Sequence, residues 1–208
     1  MPVFTSSDPI PTWCELREFS IHELPHGTQS TFETRHPREL FICTEGQLEL
    51  EHDSVRTTLS AGERFEAGGS RPIRVRALAE SGLFHATGRW TDVSGAGIFS
   101  VRNGAAAGGD PPLVNEKRTP FDNHYHDCDE YWIFLDGRAT VASENRIHRV
   151  APGTCVATGM GWHHDVLQCD DERGIRAVWF ETALEGRRRA GHLYASCNGV
   201  AEPKHDRI

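Results

Sequence analysis

His124-Tyr125-His126-Asp127-Cys128-Asp129-Glu130 is the stretch on which the reading of this 208-residue chain turns. Its pattern is His-x-His-x-x-x-Glu. Along an extended strand, residues two apart share a face, so His124 and His126 project together. Glu130, an even number of positions further on, joins them. Two imidazoles and one carboxylate converging inside a β-structure form a nitrogen/oxygen metal site, and one more nitrogen would complete a firm set. The run Tyr131-Trp132-Ile133-Phe134-Leu135 follows directly and reads as a buried strand closed by Asp136-Gly137. Trp132 and Phe134 are in phase with Glu130, which makes them candidate walls of the pocket as well as plain core.

Outward from this stretch, helical signals are scarce. Apolar residues come in short runs such as Leu40-Phe41-Ile42-Cys43, or alternate as in Leu48-Glu49-Leu50. Gly and Pro punctuate at intervals of about ten residues, the mark of an all-β sandwich or barrel. The Gly-rich, Ala-rich segment Asp92–Pro112 reads as a connection between two halves. Those halves are related by a shift of 91 positions, because 130 − 39 = 91 carries Glu39 onto Glu130. The same shift carries Gly46 onto Gly137, Gly62 onto Gly153 and Gly68 onto Gly159. Turn glycines mark backbone sites that need positive φ, so their common register implies that the same turns are made twice.

The missing nitrogen lies beyond the Gly153 turn, in Gly159-Met160-Gly161-Trp162-His163-His164. With it, the chain resembles the cupin superfamily. The first cupin motif, Gly-x5-His-x-His-x3,4-Glu-x6-Gly, is met by His124, His126, Glu130 and Gly137, while Arg118 stands where its leading Gly belongs. The second, Gly-x5-Pro-x-Gly-x2-His-x3-Asn, is met by Gly153, Gly161 and His164, with Gly159 replacing the Pro and Gln168 the Asn. Neither departure removes a ligand. The resemblance implies His124, His126, Glu130 and His164 as metal ligands. His163 competes for the last place, but the motif spacing favours His164 and strand alternation turns His163 away.

The first half matches only in part. Shifting the two His back by 91 gives Glu33 and Arg35, and His164 falls on Ile73; His36 is nearby but out of register. It reads as a cupin that kept its turns and lost its metal site, with Arg35 expected to pair with Glu39. The resemblance therefore implies an all-β bicupin of two double-stranded β-helix (jelly-roll) barrels. Residues 1–95 would be the degenerate one and 96–208 the metal-binding one.

Composition bounds the partners. A net charge of −8, from 22 Lys and Arg against 30 Asp and Glu, repels a phosphate backbone and argues against nucleic acid. The run Arg187-Arg188-Arg189 breaks the trend and reads as a solvated face or a lid over a barrel mouth. No stretch is long and apolar enough to span a bilayer. The opening Met1–Asp8 lacks the basic start and apolar run of a secretion signal, which sets the expected location as cytoplasmic. Six Cys without a Cys-x-x-Cys spacing read as free thiols there. The Gly-rich joint and the tail after Gly191 read as mobile. Cupins commonly pair through barrel faces, so the resemblance also allows a homodimer.

Three neutral His and one carboxylate leave a divalent transition metal (Mn, Fe, Ni, Co, Zn or Cu) with a net charge of about +1 and, in octahedral geometry, about two open positions. Adjacent open positions favour a small ligand that chelates through neighbouring oxygens. The expected function is therefore a metal-dependent isomerase or lyase acting on a sugar, sugar acid or hydroxy-acid. The same ligands also permit an Fe- or Cu-dependent dioxygenase of a catechol-like or flavonoid-like substrate, or a binding protein without turnover. Glu130 is the candidate catalytic carboxylate beyond its role as ligand. Tyr125, Glu144, His148 and Asp165 are the other acid–base candidates, with Tyr125 and Asp165 facing away by parity.

Overall fold

A computed structural model describes residues 3–69, 71–103, 114–117, 124–182 and 191–207. Arg118, the run Gly104–Gly109 and the basic run Arg187–Arg189 lie outside the described residues. Contacts divide the chain into two compact units, Glu15–Thr91 and Met1–Cys14 with Asp92–Ile208.

The Glu15–Thr91 unit contains β2 (Leu16–Leu24), β3 (Gln29–Phe32), β4 (Arg38–Glu45), β5 (Gln47–His52), β6 (Val55–Ser60), β7 (Arg64–Gly68), β8 (Ile73–Ala77) and β9 (Ser81–Gly88). They form two antiparallel sheets, ordered β2-β9-β4-β7 and β3-β8-β5-β6. In β8 the sequence Ile-Arg-Val-Arg-Ala alternates, and Ile73, Val75 and Ala77 are buried while both Arg are exposed. This is the period-two signature of a strand with one face on a core. That core gathers Phe41, Cys43, Leu48, Leu50, Leu59, Ile73, Val75 and Leu83 from both sheets.

The other unit contains β1 (Val3–Thr5), β10 (Val93–Asn103), β11 (Val114–Lys117), β12 (Asp129–Asp136), β13 (Ala139–Ser143), β14 (Arg146–Val150), β15 (Thr154–Thr158), β16 (His164–Cys169) and β17 (Ile175–Thr182). A four-residue helix, Ala195–Asn198, follows. The sheets are ordered β1-β15-β12-β17-β10-β11 and β14-β13-β16. Trp132, Phe134, Val141, Val150, Val156, Val166, Ile175 and Ala177 build the core. Among the described residues none of the four sheets closes on itself. Residues Met1–Cys14 belong with this unit because β1 pairs antiparallel with β15, Val3 opposite Val156. The division therefore does not fall at a single point such as 95/96.

The two units repeat one strand order: β2-β9-β4-β7 is matched by β10-β17-β12-β15, and β8-β5-β6 by β16-β13-β14. The shift of 91 reappears in the backbone. Gly46 and Gly137 both have positive φ (72° and 77°), as do Gly62 and Gly153 (88° and 83°). So do the two-residue hairpin turns Asp53-Ser54 (51°, 64°) and Glu144-Asn145 (54°, 60°). Positive φ at both central positions is the type I′ geometry that matches strand twist. Neither turn contains glycine, so each stands in a conformation that L side chains seldom adopt.

Two expectations fail here. The first part of the segment read as a connection is strand: Val93–Val101 pairs with β17, while residues 104–112 lie outside the described residues. Gly97 serves packing, since a Cβ there would come within 3.2 Å of the Trp179 indole nitrogen. The tail after Gly191 is not loose either. Leu193 bridges Tyr125, and Lys204 N–H donates to the Met160 carbonyl at 3.1 Å.

Candidate metal centre

The four residues of the two motifs come from different parts of the Asp92–Ile208 unit. Glu130 is the second residue of β12, paired with Thr158 of β15 and Glu181 of β17. His164 opens β16 opposite Ser143 of β13. His124 precedes β12 and is bridged to His164, whose N–H donates to the His124 carbonyl at 2.9 Å. His126 follows two residues on. All four are buried, and one ligand atom of each lies within 4.8 Å of the others.

Two of the imidazoles are oriented from behind. His126 Nδ1–H donates to the Gly191 carbonyl and His164 Nδ1–H to the Trp162 carbonyl, each at 3.1 Å. A carbonyl only accepts, so in the neutral ring the proton sits on Nδ1 and the Nε2 lone pair faces the cluster. Those Nε2 atoms stand 3.3 Å (His126) and 2.8 Å (His164) from Glu130 Oε2. Nitrogen lone pairs facing a carboxylate oxygen repel one another unless a positive charge lies among them. The donor set thus fits a cation, and its nitrogen and oxygen character suits a first-row divalent ion. Burial opposes ionisation of Glu130. Hydrogen bonds and positive charge from His126 and His164 in their protonated form outweigh it and hold the carboxyl well below the usual range, and a cation among neutral rings would act in the same direction.

His163 is not part of the group; its ring lies 5.1 Å from that of Tyr125. Trp132 sets its ring edge-on to His164 at 5.1 Å, and Phe134 lies in the apolar core. Tyr125 is buried, and its hydroxyl donates to the Gly199 carbonyl at 3.0 Å. Asp165 is buried on β16, and His148 lies half-buried on β14 with burial lowering its pKa.

Glu144 is the acid–base candidate whose environment is most altered. It is 5% exposed in the β13–β14 turn, and burial pushes its carboxyl up to about 7. An unfolded Glu ionises near ~4.3, so between those values the folded chain binds the proton more tightly than the unfolded one. Stability from this group is full below about pH 4, falls as pH rises through that window and levels off above about 7. Glu144→Gln is expected to exceed the wild type by on the order of 2 kcal/mol above about pH 7, with the gap closing in acid. Urea unfolding of both proteins at about pH 5 and about pH 8 checks this, and a gap that does not widen with pH refutes it.

The equivalent place in the Glu15–Thr91 unit is built differently. Glu39 is 1% exposed and receives Thr87 Oγ1–H at 3.2 Å, while His85 Nε2 lies 2.6 Å from its other oxygen. His85 stacks on Phe41 at 4.6 Å. The expected Arg35–Glu39 pair is absent: Arg35 is exposed and lies 4.0 Å from Glu18. The reason is that Glu39 points inward on β4, where a guanidinium would have to shed its water, and a neighbouring histidine on β9 reaches the carboxylate instead. His85 lies outside both motifs, and so the spacing did not reveal it.

The sequence reading also passed over His192, Tyr194 and Glu181. His192 stacks on His124 at 4.0 Å, and Glu181 Oε1 lies 3.6 Å from His126 Nδ1. The signal available was the local density of His and Tyr in Gly191-His192-Leu193-Tyr194, which has no spacing to the motif residues.

The Asp92–Ile208 unit sets a buried His/Glu cluster among the strands of two sheets, and the solved structures that the chain resembles share this fold. The chain resembles Bacillus subtilis oxalate decarboxylase OxdC (TM-score 0.59, 9% identity, 92% of this chain and 79% of that one). It also resembles Lactobacillus farciminis oxalate decarboxylase (0.55, 10%, 88% and 87%) and the Ylba protein of Escherichia coli (0.50, 14%, 87% and 90%). All are cupin-fold proteins, and at these identities they speak for the fold. No family model matches the chain. It is 35% identical over 216 residues to uncharacterized protein y4oW of Sinorhizobium fredii, across 100% of this chain and 97% of that one, and it belongs to the same family.

Proposed function

We propose that the chain is a bicupin of two jelly-roll units in which the Asp92–Ile208 unit alone holds a divalent transition metal. His124, His126, Glu130 and His164 hold it, and the protein acts as an isomerase or lyase on a small oxygen-rich metabolite. The observation that carries this is the convergence of four buried ligand atoms within 4.8 Å, two of them on imidazoles whose far nitrogens are tied to carbonyls. A bound ion supplies Lewis-acid polarisation of a chelated oxygen. The protein's part is to hold three imidazoles and one carboxylate rigidly and to wall the site with the Trp132 ring. Glu130, lodged between the His126 and His164 rings, is the carboxylate of the donor set and the candidate catalytic carboxylate. The B. subtilis oxalate decarboxylase has Mn(II) centres, which favours lyase chemistry on a carboxylic acid within this reading.

Elemental analysis of untagged protein, followed by an oxygen electrode with candidate hydroxy-acids, sugar acids and catechols, tests the proposal. About one ion per chain with turnover and no oxygen uptake supports it. Oxygen consumption with a catechol would move the assignment to a dioxygenase. Tight binding without turnover would leave a binding protein.

A further inference from the structure

The end of the chain brings another imidazole to the cluster. Tyr125 N–H donates to the Leu193 carbonyl and Leu193 N–H to the Tyr125 carbonyl, both at 3.0 Å. In an extended segment alternate side chains share a side, so His192 and Tyr194 face one way and Leu193 the other. The side they face is the cluster. The His192 ring stacks on His124 at 4.0 Å and 18°, and stands edge-on to His126 at 5.2 Å. The Tyr194 ring lies 6.1 Å from that of His124.

Further contacts fix the segment in place. Tyr125 Oη–H donates to the Gly199 carbonyl at 3.0 Å, and Trp162 Nε1–H to the Lys204 carbonyl at 3.1 Å. Arg207 Nε lies 3.4 Å from Oδ2 of the buried Asp129. These anchors, Tyr125, Trp162 and Asp129, each stand within two residues of a cluster member. A segment that served only to cover a core would present apolar side chains; this one sets an exposed imidazole and a phenol against ligand rings. His192 is not among the four residues whose ligand atoms converge, so it stands beside the donor set rather than in it.

We propose that His192, with Tyr194 next to it, contacts the outer oxygen of a small anionic chelating ligand at the cluster. The C-terminal segment Gly191–Arg207 is then the specificity-determining element of the site. This rests on the metal reading given above. The chemistry follows from the donors: a dication with one carboxylate ligand keeps a positive charge that attracts anions, and an imidazole N–H and a phenol O–H hydrogen-bond carboxylate or enolate oxygens.

The test uses the full chain loaded with Mn(II), with oxalate as the chelating dianion, followed by Mn(II) electron paramagnetic resonance and by calorimetry. His192→Ala is expected to bind Mn(II) within about threefold of the wild type but oxalate at least about tenfold more weakly, the loss of one hydrogen bond to a charged group. His192→Gln keeps an N–H donor and is expected to recover part of that loss. Equal oxalate affinity in wild type and His192→Ala overturns the proposal and leaves the metal reading standing, as does failure of the Mn(II)-loaded wild type to bind oxalate. Loss of Mn(II) itself in His192→Ala also overturns it, because His192 would then be supporting the metal. A wild type that takes up no Mn, Fe, Co, Ni, Cu or Zn removes the metal reading and this one with it.

Discussion

On the proposed metal site, replacing His124 and His126 together by alanine is expected to lower the metal content of the purified protein from about one ion per chain to less than about a tenth of that. The site draws three imidazoles and one carboxylate from the Asp92–Ile208 unit, and the double variant leaves only Glu130 and His164. Two donors without a chelating geometry bind a transition ion no better than many surface pairs do. The loss is specific to metal, because the removed rings are polar groups packed against one another rather than part of the apolar core. Thermal unfolding of the metal-free forms should therefore change little. Glu39→Gln is the matched control: its carboxylate is already engaged by His85 and Thr87, and that variant should keep the wild-type metal content. Retention of a full equivalent by the double variant, or its loss in Glu39→Gln, would show that the site lies elsewhere.

Gly137→Ala destabilises the protein by on the order of 3 kcal/mol, whereas Gly153→Ala costs about 1 kcal/mol. Both glycines have positive φ, 77° and 83°, so both pay for a side chain in the left-handed region. Only Gly137 has a second penalty. A Cβ there would sit 2.1 Å from the Gly174 carbonyl oxygen and 3.0 Å from Ile175 Cα, and backbone cannot step aside as a flexible side chain can. At Gly153 no atom lies within 4 Å. The same contrast should hold 91 residues earlier, where a Cβ on Gly46 meets the Glu80 carbonyl at 2.2 Å and one on Gly62 meets nothing. Urea unfolding of the four single variants measures it, and equal costs within each pair would falsify the steric argument.

These comparisons show which parts of the protein were legible from the chain alone. The turn glycines Gly46, Gly62, Gly137 and Gly153 and the apolar runs of β4 and β12 could be read because they depend on local physics, whereas Gly68 and Gly159, expected to share that geometry, do not have positive φ. A positive φ excludes most residues whatever surrounds it, and a short continuous apolar run bounded by turn residues reads as a strand buried on both faces. The four converging residues could be named because His124, His126 and Glu130 lie within seven residues, and because His164 falls at a characteristic distance from the Gly153 turn. The Arg35–Glu39 expectation failed because pairing along the sequence says nothing of which strand lies alongside, and β9 brought His85 there instead.

The sequence by itself determined an all-β chain with a repeat of 91 and a His/Glu group in the second half. Tertiary structure alone decided the rest. It placed β1 on β15, made Val93–Asn103, the first part of the apparent joint Asp92–Pro112, a strand beside β17, and carried Gly191–Arg207 back over the cluster so that His192 stacks on His124. Each of these depends on contacts between residues far apart in the chain. Such contacts form only where two surfaces are complementary in shape and hydrogen bonding, and neither partner's own sequence records the other.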